Sequence, residues 1–171
     1  MHTFHEIWVA ENDSVSLEPV GENLKAFFKC VKSGLIFDEE LPLKLKNYNS
    51  KGKLYNWDGH FRSPIVHQCV KDDLQSILGD AVQWIGPWEF RGYSMCGFKY
   101  VLVVDATTPE SSHHRIYWNY NVVKDLVMFR PQAFKLQTYV RDDVRDLIQS
   151  RNHTGIRFGW LGPNGFANVP F

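Results

Sequence analysis

The chain has 171 residues, of which 44% are hydrophobic and 15% aromatic, and its 19 basic and 19 acidic residues cancel to zero net charge. This composition excludes a largely disordered chain, and the length predicts one domain over residues 1–171. The best-supported core of that domain is 53–160. Zero net charge argues against a protein whose main role is to hold nucleic acid, because phosphate neutralisation drives that affinity.

The cysteines and the chain start indicate an ordinary reducing environment. Cys30, Cys69 and Cys96 are widely spaced and form no CxxC pair, so they predict neither a disulfide framework nor a thiolate zinc site. The first residues lack a secretory signal, and no run approaches the roughly 20 apolar residues of a membrane span. We therefore expect a cytoplasmic protein with no cofactor, no metal and no membrane partner.

The first part of the chain combines two regular elements with polar connectors. Phe4–Val9 alternates as a strand does, and residues 21–34 place apolar side chains at helical spacing before a glycine. The LPLKLK stretch at 41–46 predicts an edge strand within a polar connector. Residues 54–64, LYNWDGHFRSP, predict a loop because of their Asn, Asp-Gly and Ser-Pro turn signals.

A nine-residue pattern occurs twice, as VKDDLQSIL at 70–78 and as VRDDVRDLI at 140–148. Strand-like residues precede each copy, and a glycine and a second extended segment follow, which predicts two similar strand–helix–strand units. We interpret the aspartate pairs, 72–73 and 142–143, as residues of the first helical turn, where free N–H groups favour carboxylates. The alternative is a chemical site on which all four carboxylates converge.

The short helices bear on the fold class. Parallel crossovers usually need a dozen or more connecting residues, and the predicted helices are shorter than that. The sequence therefore predicts an α+β fold, in which short helices pack on a mixed, mostly antiparallel sheet.

A family resemblance begins at the strand that ends in VVDA (103–106). An LVMFR element (126–130), a short strand, a helix opening on an acidic pair and a closing TGIRF strand (154–158) then follow. Together with VHQCVKDDLQSIL (66–78), this order resembles a group of immunity proteins of bacterial polymorphic toxin systems, over about residues 65–160. The resemblance implies a small α+β cytoplasmic protein that binds and neutralises a cognate toxin domain without catalysis.

Two other functions stay open on the residues alone. A small hydrolase would use Asp58 and His60 of the WDGH tetrad, although Asp-Gly is also an ordinary turn signal. A nucleic-acid-binding module would use aromatic residues such as Trp118, with Arg115 and Lys124 nearby.

Candidate partner contacts follow from charge and from the tryptophans. Residues 1–40 carry eight acids and three lysines, a net charge of −5. If the toxin is a nuclease with a basic groove, Asp38, Glu39 and Glu40 are candidate mimics of phosphate charge. Trp88 and Trp118 are candidate anchors because tryptophan is favoured at interfaces, and Trp88, between proline and glutamate, is expected to be partly exposed.

Reversing the charges of Asp38, Glu39 and Glu40 is expected to slow association with the toxin and to reduce the salt dependence of the association rate, because steering depends on charge. Stopped-flow kinetics over a range of ionic strength measures both quantities. An unchanged association rate at low salt would show that these three residues do not steer association, and the hypothesis of phosphate mimicry would fail.

Overall fold

The computed structural model describes residues 3–9, 14, 17–20, 44–60, 63–100, 102–111, 116–133, 137–160 and 166–167. The strands are β1 (Phe4–Val9), β2 (Leu17–Val20), β3 (Lys44–Asn47), β4 (Trp57–His60), β5 (Ser63–His67), β6 (Val82–Phe90), β7 (Tyr93–Tyr100), β8 (Val103–Val104), β9 (Trp118–Asn119), β10 (Met128–Pro131), β11 (Tyr139–Arg141), β12 (Ile156–Trp160) and β13 (Phe166–Ala167). The helices are α1 (Gln68–Leu78), α2 (Tyr120–Val123) and α3 (Asp142–Ser150). None of these helices has the length and apolar character that crossing a membrane requires.

Two larger sheets carry the fold. The first has the order β12-β1-β11-β10-β8, in which only the β10–β8 pair is parallel. The second has the order β4-β5-β7-β6 and is antiparallel throughout. Two small sheets, β2-β3 and β13-β9, complete the described strands. Mixed, mostly antiparallel sheets with short helices confirm the predicted α+β class.

Both predicted strand–helix–strand units are present, and they share one topology. In β5–α1–β6 the two strands are separated by β7, and in β11–α3–β12 they are separated by β1. Strands that are two places apart lie about 10 Å from each other, which is close to the diameter of a helix. Each connection, residues 68–81 and 142–155, is 14 residues long, so both reach the dozen or more residues that a crossover between parallel strands needs.

The two copies of the repeated sequence do not occupy equivalent positions. Helices α1 and α3 begin at 68 and 142, which is 74 residues apart (142 − 68), whereas the sequence copies are 70 apart (140 − 70). Four residues are close to one helical turn, so the apolar positions still face the core. Asp142 and Asp143 lie in the first turn of α3, as predicted. The same prediction for Asp72 and Asp73 is wrong, because both lie one turn further into α1.

The largest core cluster draws residues from both large sheets and from α1 and α3. Its buried members are Trp57, Val66, Val70, Leu74, Leu78, Ala81, Val82, Cys96, Phe98, Met128, Val140, Val144 and Ile148. Three of these form one face of α1 and are at most 1% exposed. Burying a Val or Leu side chain contributes roughly 1.5–3 kcal/mol, so this face is sufficient to hold a short helix in place. A second cluster covers the other face of the first sheet, and a third covers the outer face of the second sheet.

The segment 54–64 differs from its prediction. Instead of one loop, it contains β4 and the start of β5, and Trp57–His60 pairs residue by residue with Ser63–Val66. Asp58 lies inside β4 because its carboxylate has a buried partner there, a tertiary effect that outweighs its local turn preference. The predicted edge strand is confirmed for residues 44–47, and the predicted helix at 21–34 lies outside the described residues.

The two large sheets meet at Gly155. A Cβ atom at this position would clash with the carbonyl oxygen of Trp57 and would lie 2.6 Å from Cβ of Tyr55. The Trp57 amide donates to the Thr154 carbonyl at 2.9 Å, and the Thr154 hydroxyl donates to the Asn56 side chain at 3.0 Å. The residues before β12 are therefore held directly against the start of β4, an arrangement that we call the Gly155 joint.

Gly155→Ala is expected to lower the free energy of unfolding by about 3 kcal/mol or more, because it adds a backbone clash to a left-handed conformation with φ of 86°. Gly92→Ala is the matched control, since φ is 79° there but nothing lies within 4 Å of the added carbon. The control should lose only the part of the unfolding free energy that comes from the left-handed backbone conformation, about 1 kcal/mol. Urea denaturation measures both, and equal losses would contradict the role of the joint.

Glu6 is a buried acid in the first sheet. It lies on β1 opposite Tyr139 and is 8% exposed. Burial raises the pKa of this carboxyl from 4.5 to about 7, against an opposing hydrogen bond with Gln137. Because the folded state holds the proton to higher pH than the unfolded chain, the stability that Glu6 contributes is present below pH 4.5 and is lost as the pH rises to 7.

Glu6→Gln should therefore leave stability near pH 4 little changed and should raise it above pH 7, by up to about 3 kcal/mol. The measurement is the difference in unfolding free energy between variant and parent at each pH. Taking this difference removes the pH dependence that comes from the other titratable groups, because those groups are the same in both proteins. A difference that is constant between pH 4 and pH 8 would show that Glu6 titrates normally.

Candidate functional site

The small β2-β3 sheet packs on the outer face of the second large sheet. Leu17 is buried and Leu45 is half-buried against Ile65 and Met95. Along β3 the exposure alternates, so that the lysines are exposed and the residues between them are half-buried. This alternation is why a strand with two lysines folds here: one of its faces is apolar enough to pack, and the other is left to the solvent.

Asp58 anchors this ribbon. Its side chain is 0% exposed, and Oδ1 accepts a hydrogen bond from the backbone N–H of Leu17 at 3.1 Å. Asp58 lies opposite Ile65, so its carboxylate is on the sheet face that the ribbon covers. The acid of the WDGH tetrad thus performs a structural task. The side chain of His60, its proposed catalytic partner, lies outside the described residues.

Arg91 ties the ribbon to the β6–β7 hairpin. Arg91 and Gly92 form the hairpin tip with φ of 51° and 79°, values typical of a two-residue type I′ turn. The Arg91 guanidinium donates to the carbonyls of Ser50 at 2.6 Å and Gly52 at 3.2 Å. The loop that follows β3 is therefore held by a side chain from a distant part of the sequence.

These contacts assemble a basic surface with two exposed rings. Tyr48 is 61% exposed and Tyr93 is 52% exposed, the largest values among the exposed apolar residues of the described ranges. The Lys46 ammonium lies 4.8 Å from the Tyr48 ring centre, and the Tyr93 ring lies 4.9 Å from that of His67. We call this surface the Lys–Tyr face and define it as Lys44, Lys46, Tyr48, Lys51, Lys53, Arg91 and Tyr93.

The predicted partner residues differ in burial, and some of them lie outside the described residues. Trp88 is half-buried, as expected, and its ring packs so close to Gly97 that a Cβ there would lie 3.0 Å away. Trp118 is 0% exposed and packs at 4.6 Å from the ring of Tyr139, within the second core cluster. The interpretation of Trp118 as a surface anchor is therefore wrong, because three distant segments of the chain cover its strand. Asp38, Glu39, Glu40 and Arg115 lie outside the described residues, and Lys124 is exposed.

A polar cluster beside the Gly155 joint has the residue types of a catalytic site. Asp73 on α1 contacts His153 Nε2 at 2.9 Å and Arg151 Nε at 3.5 Å. Cys69, one turn earlier on α1, is exposed and lies 3.7 Å from the Asn56 amide nitrogen. Among the described residues, no imidazole nitrogen hydrogen-bonds to the Cys69 thiol. The cluster instead links α1 to the turn that follows α3.

His67 is a further polar residue near this cluster, within electrostatic reach of Asp58 and His153. Burial lowers the pKa of its imidazole, and the nearby His153 acts in the same direction, whereas Asp58 opposes the shift. A histidine held neutral can ligate a metal, but in the described part of the chain no three His, Cys, Asp or Glu side chains are grouped as a metal site requires.

The sequence matches no protein-family model and no curated protein. A functional assignment therefore depends on the geometry of the described residues and on the resemblance of the C-terminal pattern.

Sequence reasoning missed the Lys–Tyr face, although part of its signal was present. Residues 44–53 contain four lysines and no acid, and the alternation of the first two with leucine already placed them on one strand face. Arg91 and Tyr93 had no such signal. They reach the same surface only because the hairpin tip bonds to the loop after β3.

Asp58→Ala is expected to lower the free energy of unfolding by about 1–3 kcal/mol, because it leaves the Leu17 N–H buried without an acceptor. Hydrogen exchange of the Leu17 amide should become faster than in the parent protein. A variant with unchanged stability and unchanged exchange would contradict the anchoring role and would return Asp58 to the list of candidate catalytic residues.

Proposed function

We propose that this protein is a non-enzymatic immunity protein, which binds a cognate bacterial toxin domain and neutralises it by occupying its surface. The observation that carries the proposal is the Lys–Tyr face, in which exposed Tyr48 lies beside Lys46 on the ribbon and exposed Tyr93 follows the hairpin tip that bonds to the lysine loop. Tyrosine and arginine are enriched where proteins bind one another, and large exposed rings in a rigid setting bind with little loss of conformational entropy.

Two further features support a binder over an enzyme. The carboxylate of Asp58, the acid of the hydrolase alternative, anchors the β2-β3 ribbon, and the imidazole of His153 is engaged with Asp73. The two strand–helix–strand units also match the order of elements in the immunity-protein resemblance over residues 65–160. A protein that neutralises toxin inside the producing cell belongs in the cytoplasm, and we place it there.

The test uses the genes that flank the gene for this chain in its source genome. Each flanking product is made in a bacterial host, alone and together with this chain. We expect one product to stop growth when it is made alone, and the joint expression to restore growth. If every flanking product leaves growth unaffected, or if the arrested host is not rescued, the proposal fails.

Matched variants connect the rescue to the surface. Tyr48→Ala with Tyr93→Ala should weaken binding about 10- to 100-fold, as the loss of interface anchors does, and should raise the expression level needed for rescue. Val122→Ala is the control, since Val122 is also an exposed apolar residue, at 37% exposure. Circular dichroism and urea denaturation confirm that each variant is folded before it is compared.

A further inference from the structure

We propose that the Lys–Tyr face docks on an acidic surface of the partner protein, and that Arg91 is a positioning residue that holds the lysine loop in its binding geometry. This inference rests on the proposed function and names the chemistry of the partner. Four lysines within residues 44–53 are all exposed, and no acid lies within that segment. Complementary charge across an interface steers association and selects the partner.

The sign of the charge constrains where the face can bind. If the toxin is a nuclease, its substrate groove is basic, and four lysines would be repelled from it. The face must then contact a different, acidic part of the toxin. Charge mimicry of the substrate by Asp38, Glu39 and Glu40 would thus be a separate contact from docking by the Lys–Tyr face.

Arg91 contributes to binding by fixing the loop around Lys51, and not by contacting the partner protein itself. Its guanidinium is engaged by the carbonyls of Ser50 and Gly52, on both sides of Lys51. The residue holds a left-handed conformation that is uncommon for a residue with a side chain. A loop fixed in this way loses less entropy on binding, so the clamp should increase affinity without adding a contact.

Two observations favour a protein partner over nucleic acid. The chain carries no net charge, whereas binding to a long polyanion gains from a basic balance. Each exposed tyrosine ring already contacts Lys46 or His67, which reduces the ring surface that is open for base stacking.

The experiment titrates the full chain with two probes of equal charge, a glutamate homopeptide and an oligothymidylate, and follows backbone amide signals by nuclear magnetic resonance. We expect the peptide to shift the amides of residues 44–53 and 91–93 in a saturable manner. Lys44→Glu with Lys51→Glu should weaken this binding at least about ten-fold, because it juxtaposes like charges. Lys124→Glu, a reversal at an exposed lysine outside the face, should have little effect.

Arg91→Asn separates positioning from stability, since asparagine tolerates the left-handed turn but cannot reach both carbonyls. Peptide binding should fall about 3- to 10-fold while the urea midpoint stays the same or rises. Arg91→Lys should recover part of the affinity. If affinity and stability fall together, Arg91 is only a structural residue.

The remaining outcomes are distinct. Tighter binding of the oligothymidylate that depends on Tyr48 and Tyr93 would overturn the protein assignment, and so would the absence of saturable shifts with the peptide.

If the growth-arresting flanking product is neutralised equally by the Lys44→Glu, Lys51→Glu variant, the proposed function stands and the docking surface is wrong. If the peptide binds the face but no flanking product is toxic, the acidic-surface chemistry stands and neutralisation fails.

Discussion

The close approach of Gly155 to Trp57 is the constraint on which the two-sheet arrangement depends. Any side chain at Gly155 would occupy the position of the Trp57 carbonyl oxygen, so the residues before β12 could not lie against the start of β4. The hydrogen bonds of Thr154 to Asn56 and Trp57 follow from that approach. The main core then closes, because it takes its residues from both sheets and from both of the longer helices.

The joint also determines what the polar residues do. His153 next to the joint bonds to Asp73 and connects α3 to α1, while Asp58, next to Trp57, anchors the β2-β3 ribbon. Among the described residues, Asp58, Asp73 and His153 are therefore engaged in assembling the fold. The Lys–Tyr face presents exposed cations and rings, which are suited to contact with a partner. Our proposal of a binding protein draws on this difference.

Much of the fold could be predicted from local patterns. The strand Phe4–Val9, the end of α1 at Gly79 and the two strand–helix–strand units all follow from periodicity and turn signals. The register of the repeated sequence could not be predicted, because a shift of four residues along a helix leaves the same face apolar. Hence the sequence predicts Asp72 and Asp73 in the first turn, whereas α1 begins at Gln68 and both aspartates lie one turn further in.

The candidate site was less predictable, and for a physical reason. Whether a strand face is buried depends on what covers it, and Trp118 is covered by residues such as Ala106 and Phe129 from other segments. Likewise, Asp58 has a partner in Leu17, 41 residues away, which no local turn signal reveals. The four lysines could be read from sequence, but the bond from Arg91 that completes the surface is a tertiary contact.

The proposed mode of action is stoichiometric binding, with no reaction. Its most direct test is to titrate the purified chain into an activity assay of the cognate toxin and then to separate the two proteins under denaturing conditions. We expect activity to decline linearly to zero at one chain per toxin, and the toxin recovered after refolding to be fully active and unaltered in mass. Complete inactivation at a small fraction of that ratio, or a toxin that is chemically changed, would contradict stoichiometric binding.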